Sequence, residues 1–246
     1  MDPFATDAPL NSSDTHPTQD EWERQWRSYG EAVAAHPPEP AVERMRAKSF
    51  GEGYHPTVAD RFGVWLSARQ IHRHVRDFSG QRIGDFGCGF HAAFTRTLLD
   101  RVESAVLADV SLSPDLLVHP KVTAFQGPLP GLLPHLPSRT LDVILCISVL
   151  EHLWEPAQAI REFRRLLTPG GVCLLNVPSW RGKWFLEYSA FKLGLSPTDE
   201  MNDHKNYYDV KDLWPLLVRG GFRPSDIRCF QHKFGMNTFA LCKAPQ

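Results

Sequence analysis

No two of the five cysteines in this 246-residue chain are spaced as Cys-x-x-Cys; they stand apart at Cys88, Cys146, Cys173, Cys229 and Cys242. An odd, scattered set argues against a disulfide framework and against a zinc site, so no metal is expected and the thiols read as reduced core groups. Net charge is also nearly missing. Lys and Arg total 27 against 28 for Asp and Glu, a formal −1, and no basic cluster compensates, so a nucleic-acid partner is not expected. No apolar run approaches the ~20 residues that span a bilayer, which removes the case for a membrane protein. The first ten residues lack the basic segment and apolar core of a signal peptide, and the expected location is the cytoplasm. Internal repeats and low-complexity tracts are absent.

What remains is an ordinary globular composition, 42% hydrophobic and 22% charged, long enough for one α/β domain with a sizeable core plus an appendage. Residues 1–20, rich in Asp, Ser, Thr and Pro, read as a disordered start. A helical lid segment is expected over 21–80 and the main domain over 81–246. Within the lid segment, Trp22, Trp26, Tyr29 and Val33 recur at helical spacing until His36-Pro-Pro-Glu-Pro40 stops them. A loop carrying Tyr54 and His55 precedes a second helix through Phe62, Trp65, Leu66 and Val75. This aromatic stripe reads equally as ordinary packing and as a cover over a pocket.

From Arg82 onward, short apolar runs alternate with amphipathic ones, which predicts a parallel sheet covered by helices on both faces. The expected strands are Arg82–Phe86, Ser104–Asp109, Lys121–Phe125, Leu141–Ser148, Gly171–Val177, Asp226–Phe230 and Thr238–Ala244. A helical stretch is expected from His91 to Leu99. Pro156 suits the first turn of a helix carrying Ile160, Phe163 and Leu167 on one face. Asp209 is placed to cap a helix ended by Gly220-Gly221, with Pro215 inside it as a source of a kink or a lost hydrogen bond.

The richest stretch is Asp85-Phe-Gly-Cys-Gly89. It closes an apolar strand, opens a helical stretch, and has a further acid, Asp109, about 20 residues on. Such a strand-turn-helix brings backbone N–H groups up against a small ligand. Gly87-x-Gly89-x-x-Ala92 also satisfies a loose dinucleotide fingerprint, and a plain tight turn has the same look. The carboxylate before the first glycine separates the readings. It would repel a pyrophosphate and attract the ammonium and sulfonium of S-adenosylmethionine.

Three later features point the same way. They are the strand running into Val149-Leu-Glu-His152, the helix end and turn Leu166-Leu-Thr-Pro-Gly-Gly171, and the strand that follows. In this order and spacing the chain resembles the class I S-adenosylmethionine-dependent methyltransferases, most closely the small-molecule group of ubiquinone and menaquinone biosynthesis. The resemblance covers about Arg82 to Ala244. It implies an enzyme with a Rossmann-like α/β fold, a seven-stranded mostly parallel sheet whose final strand runs antiparallel, and S-adenosyl-L-methionine as donor. It also implies residue roles. Asp85, Gly87, Cys88 and Gly89 would line the methionine part of the donor. Asp109 would accept both ribose hydroxyls, with Val110 on the adenine and Gly127, Pro128 and Leu129 along its edge. Family members often carry an acid near this last position; here there is none, and a backbone carbonyl or Gln126 would substitute. Cys146, Ile147 and Ser148 would end the fourth strand beside the reactive methyl.

Between Pro178 and Tyr207 the alternation stops. Residues 179–207 read as an aromatic insertion after the fifth strand, emerging where open α/β sheets bind ligands. Trp180, Trp184, Tyr207 and Tyr208, with Tyr54 and His55, are the expected substrate contacts; an oligomer contact, such as a homodimer, would use the same aromatics. A hydroxyl acceptor needs somewhere to lose its proton, and histidine titrates near neutrality. His204, beside Asp203, and His152, beside Glu151, are the candidate bases, each with a structural reading alongside. The expected activity is O-methylation of a small molecule such as a sugar or secondary metabolite. N- or C-methylation and non-catalytic donor binding are the alternatives. No Asn/Asp-Pro-Pro-Tyr/Phe sequence follows the fourth strand, which argues against amino methylation of nucleobases.

Overall fold

In the computed structural model, the residues described are Glu52, 57–184 and 205–246. The seven strands form one sheet in the order β3-β2-β1-β4-β5-β7-β6. They are β1 Arg82–Phe86, β2 Ser104–Asp109, β3 Val122–Gln126, β4 Leu141–Ile147, β5 Leu167–Pro178, β6 Ile227–His232 and β7 Asn237–Lys243. β1 pairs in parallel with β2 and β4, β2 with β3, and β4 with β5. β7 runs antiparallel between β5 and β6. The order reverses at β1/β4, so the carboxyl ends of these strands frame the crevice where open α/β sheets take their ligands.

Strand alternation divides the apolar side chains between two cores. Phe86, Val106, Ala108, Ile144, Cys146, Leu175 and Val177 face one side; Ile83, Leu107, Val143, Leu145 and Leu174 face the other. Helix α4, Pro156–Leu166, lies on the first side. Its buried residues Ala159, Ile160, Phe163 and Leu166 repeat at helical spacing, and the Phe163 ring stacks on Phe86 at 5.4 Å. Helix α5, Val210–Arg219, buries Leu213 and Leu217 in the same core. The backbone N–H of Asp209 donates to the Asp212 carboxylate at 3.0 Å and starts this helix. Pro215 sits inside it, as expected. On the opposite side, helix α1, Val58–His74, starts from a reciprocal Thr57/Asp60 cap and buries Ile71. Its Phe62 and Trp65 stack at 5.8 Å and stay half-exposed.

Two elements depart from expectation. The helix expected over His91–Leu99 shrinks to α2, Ala93–Arg96, because Ala92 adopts a left-handed φ of 43°. β5 starts four residues early, at Leu167, where Leu141 pairs with it across a register shift. The short helix α3 covers Pro114–Leu117. No helix among the described residues is long and apolar enough to cross a membrane. The disordered start and most of the expected lid segment and insertion lie outside the described residues.

Candidate donor and acceptor sites

β1 delivers Asp85 to the crevice almost fully buried, 6% exposed. Thr95, on α2, donates its hydroxyl to Asp85 Oδ2 at 2.6 Å. Burial pushes the Asp85 carboxyl up to about 7, the Thr95 hydrogen bond offsets part of that, and the charge of Asp109 adds to it. A carboxylate buried in this way gains most when a cation arrives.

The turn that follows is shaped by conformation and close approach. Gly87 has φ +81° and Gly89 +75°. A Cβ on Gly87 would lie 2.0 Å from Val149 Cγ2, so the first glycine lets the β4 loop close onto the β1 turn. The Gly87 N–H donates to the Ala108 carbonyl at 2.7 Å. Asp109 closes β2 and ties the cradle together. Its Oδ2 accepts from the Gly89 N–H and its Oδ1 from the Val110 N–H, both at 2.7 Å. The carboxylate thereby fixes the turn after β1 to the end of β2. The Gly127 N–H donates to the Asp109 carbonyl at 2.9 Å and brings Gly127, Pro128 and Leu129 alongside. Gln126 is partly committed, because its Oε1 accepts from the Leu112 N–H at 2.9 Å. Cys88 keeps its thiol protonated, since burial and the charges of Asp85 and Asp109 raise it well above its usual range.

β4 ends in Cys146, Ile147 and Ser148. The Cys146 side chain is wholly buried, whereas Ser148 is exposed with φ +58°. The Ser148 N–H donates to the Asn176 carbonyl at 2.7 Å and fixes the strand end to β5. The next turn, Leu150–His152, carries Glu151 inward, 1% exposed, and leaves His152 half-buried. Past β5, Trp180 and Tyr207 approach with ring centroids 5.6 Å apart. Lys183 Nζ lies 5.7 Å and 5.8 Å from the two rings. Trp184 is 75% exposed, and Tyr208, by contrast, is buried with its hydroxyl unpartnered among the described residues. Tyr54, His55 and His204 lie outside the described residues. Sequence reasoning missed Thr95, Val149, Asn176 and Lys233. Only Val149 carried a signal, as part of the sequence leading to His152.

A second concavity, about 400 Å³, lies at the amino ends of β4 and β5 and includes His74, Asp142 and Thr168. Asp142 is already spent there on the fold. Its Oδ2 accepts the Arg82 N–H and Nε–H at 2.9 and 3.0 Å, and its Oδ1 accepts Arg82 Nη2 and Thr168 Oγ1 at 3.0 and 2.9 Å. All five cysteines are free, and no group of three or more His, Cys, Asp or Glu among the described residues could hold a metal.

A family model described as a methyltransferase domain matches residues 59–225, well over half of the chain. The chain belongs to the methyltransferase-domain family. A probable S-adenosylmethionine-dependent methyltransferase of Mycolicibacterium smegmatis is 29% identical over 193 residues, covering 76% of this chain and 69% of that protein. A ubiquinone biosynthesis O-methyltransferase of Psychrobacter arcticus is 29% identical over 165 residues, covering 61% of this chain and 62% of that one. The chain thus spans about two thirds of the length of these relatives. Among solved structures, the Burkholderia thailandensis 1,6-didemethyltoxoflavin-N1-methyltransferase, with S-adenosylhomocysteine bound, superposes with a TM-score of 0.54. That match covers 98% of this chain and 94% of that one at 14% identity, and speaks for the fold alone. S-adenosylmethionine is accordingly the methyl donor of this methyltransferase, and the residues present fit it. The buried Asp85 carboxylate would suit the donor's cationic end, and Asp109 stands beside it, tied to the glycine turn.

Proposed function

We propose that this methyltransferase O-methylates a small molecule, a sugar or secondary metabolite, bound above the carboxyl ends of β4 and β5. The observation that carries the reading is a set of buried polar atoms without partners near the carboxyl ends of β4 and β5. Glu151 Oε2, Asn176 Oδ1 and Tyr208 Oη have no partner among the described residues, and an acceptor's hydroxyls would satisfy them. The aromatic pair Trp180/Tyr207, with Lys183 beside it, forms one wall of the approach. The similarity to an enzyme named as an O-methyltransferase points the same way.

When bound, the donor supplies an electrophilic methyl on a positively charged sulfur, so the chain's own task is alignment, exclusion of water and disposal of one proton. Asp85 and Asp109 fix the two ends of the donor. The turn from Val149 to His152 offers the proton a destination, either at His152 or at Glu151. His204, from the far end of the insertion, is the other candidate.

The test is product analysis. The full chain is incubated with methyl-labelled S-adenosylmethionine and a small-molecule extract, and the labelled product is examined by carbon NMR. A methyl carbon bonded to oxygen is expected; one bonded to nitrogen or carbon would refute O-methylation and leave the donor assignment standing.

A further inference from the structure

Glu151 is a buried acid whose carboxyl is only partly accounted for by the fold. Its Oε2 has no hydrogen-bond partner among the described residues, and an unmet buried polar atom of this kind costs about 1–3 kcal/mol. The backbone around it is nonetheless firmly held. The N–H groups of Lys205 and Asn206 both donate to the Glu151 carbonyl, at 2.9 and 3.2 Å. The side chain is therefore buried by construction.

Titratable groups from three other elements, and from its own turn, lie near it. Cys146, at the end of β4, feels the charges of both Glu151 and Asp85. Tyr208, before α5, feels Glu151 and presents the second unpartnered hydroxyl. Lys233, in the loop between β6 and β7, acts on Glu151 through its charge. Burial pushes the Glu151 carboxyl up to about 8, offset in part by its own backbone N–H and then by the Lys233 charge, and pulls the Lys233 ammonium down to about 8, offset in part by Glu151. His152 is adjacent in sequence and half-buried.

The placement of Lys233 is costly. Lys233, Phe234 and Gly235 have φ of 48°, 59° and 83° in succession, and a left-handed non-glycine residue costs about 1–2 kcal/mol. Strain of this kind persists where surrounding contacts impose it. Here Ser179 supplies them, its hydroxyl donating to the Gly235 carbonyl at 2.7 Å and its N–H to the Met236 carbonyl at 3.0 Å. The result sets Lys233 Nζ against α1, 3.7 Å from where a Cβ on Gly63 would stand. The amine thus reaches from the β6–β7 loop to α1 while its charge still bears on Glu151.

We propose that Glu151 is the proton acceptor of the transfer, with Lys233 as the residue that positions and holds its charge; this rests on the reading that the accepting atom carries a proton. The acceptor oxygen forms its bond to the methyl carbon, the carbon–sulfur bond breaks with its electron pair left on sulfur, and the acceptor proton passes to Glu151 Oε2. One positive charge, on sulfur, and one negative charge, on the carboxylate, disappear together. A dry pocket favours a step that removes both charges, because separated ions are poorly stabilised there.

Calorimetry on the full chain tests this without an acceptor. Binding is measured at pH 8 in buffers of different protonation enthalpy, with S-adenosylmethionine and S-adenosylhomocysteine as probes. Both carry the ammonium that faces Asp85, and only the first carries the sulfonium. The wild type is expected to release up to roughly half a proton more with the sulfonium compound, the protonated fraction of an acid at its own pKa. Glu151→Gln should abolish that difference while still binding S-adenosylhomocysteine, Glu151→Asp should retain part of it, and Lys233→Met, which removes a charge that lowers the Glu151 carboxyl, should move the pH at which it is greatest upward. An undiminished difference in Glu151→Gln, or an unmoved pH dependence in Lys233→Met, would overturn the assignment. A product methylated on nitrogen or carbon would instead refute the hydroxyl reading and leave the calorimetric result as it stands.

Discussion

Thr95 Oγ1 donates to Asp85 Oδ2 across 2.6 Å, a single hydroxyl serving an almost fully buried carboxylate. That imbalance makes Asp85 a cost in the free protein and an asset in the complex. Its folded pKa, about 7 against a model-compound 3.8, is raised, so the penalty is absent below about pH 4, grows through the interval, and is complete above about pH 7. Asp85→Asn should therefore melt higher than wild type at pH 8 and match it at pH 4. It should also bind S-adenosylmethionine at least ~10-fold more weakly, a loss of about 1.4 kcal/mol. Equal melting at both pH values would contradict the burial argument.

Gly87→Ala should close the cradle. The new methyl would meet Val149 at 2.0 Å, at a residue whose φ is +81°. Overpacking and left-handed strain together predict a loss of about 2–4 kcal/mol in stability. Adding Val149→Ala should recover only the packing part. Chemical denaturation of the two single variants and the double variant reads the recovery as a positive coupling.

Asp109 holds the backbone of the proposed donor site. Asp109→Ala removes the acceptor of two N–H groups at 2.7 Å, each charge-assisted bond contributing about 1.5–3 kcal/mol. A lower melting temperature and weakened donor binding should appear together. Unchanged stability with lost binding would restrict Asp109 to the ribose.

At the opposite edge, Asp142→Ala should separate fold from site. Burial raises the Asp142 carboxyl, but its hydrogen bonds from Arg82 and Thr168 prevail and hold it below its usual range. Its stabilisation is thus present at neutral pH and lost as the pH falls through the carboxylate range. The variant should lose about 1–3 kcal/mol of stability at pH 7 and bind the donor with wild-type affinity. A change in donor affinity would link the two ends of β4.

The donor side was legible in the sequence because it is local. β1 and β2 take the expected bounds, and Asp85, Gly87, Gly89 and Asp109 meet within one strand-turn-helix unit and the strand beside it. What sequence reasoning missed was brought in from elsewhere. Thr95 became visible only when Ala92 broke the helix expected from His91 and set α2 against Asp85. Lys233 falls between the last two expected strands; the left-handed loop and its anchors on Ser179 carry its amine to α1. β5 starts early because Leu167 pairs with Leu141, a long-range contact that a Thr-Pro-Gly-Gly turn conceals. The proposed acceptor groups Glu151, Asn176, Tyr208 and Lys233 come from the turn after β4, β5, the segment before α5 and the β6–β7 loop, so no single stretch announces them.

Titration calorimetry with S-adenosylmethionine and, separately, NADH bears most directly on the central claim that the β1 turn is a methyl-donor cradle. Saturable one-to-one binding of S-adenosylmethionine, weakened in Asp85→Asn, with no heat from NADH, is the predicted result. Binding of NADH without binding of S-adenosylmethionine would contradict it.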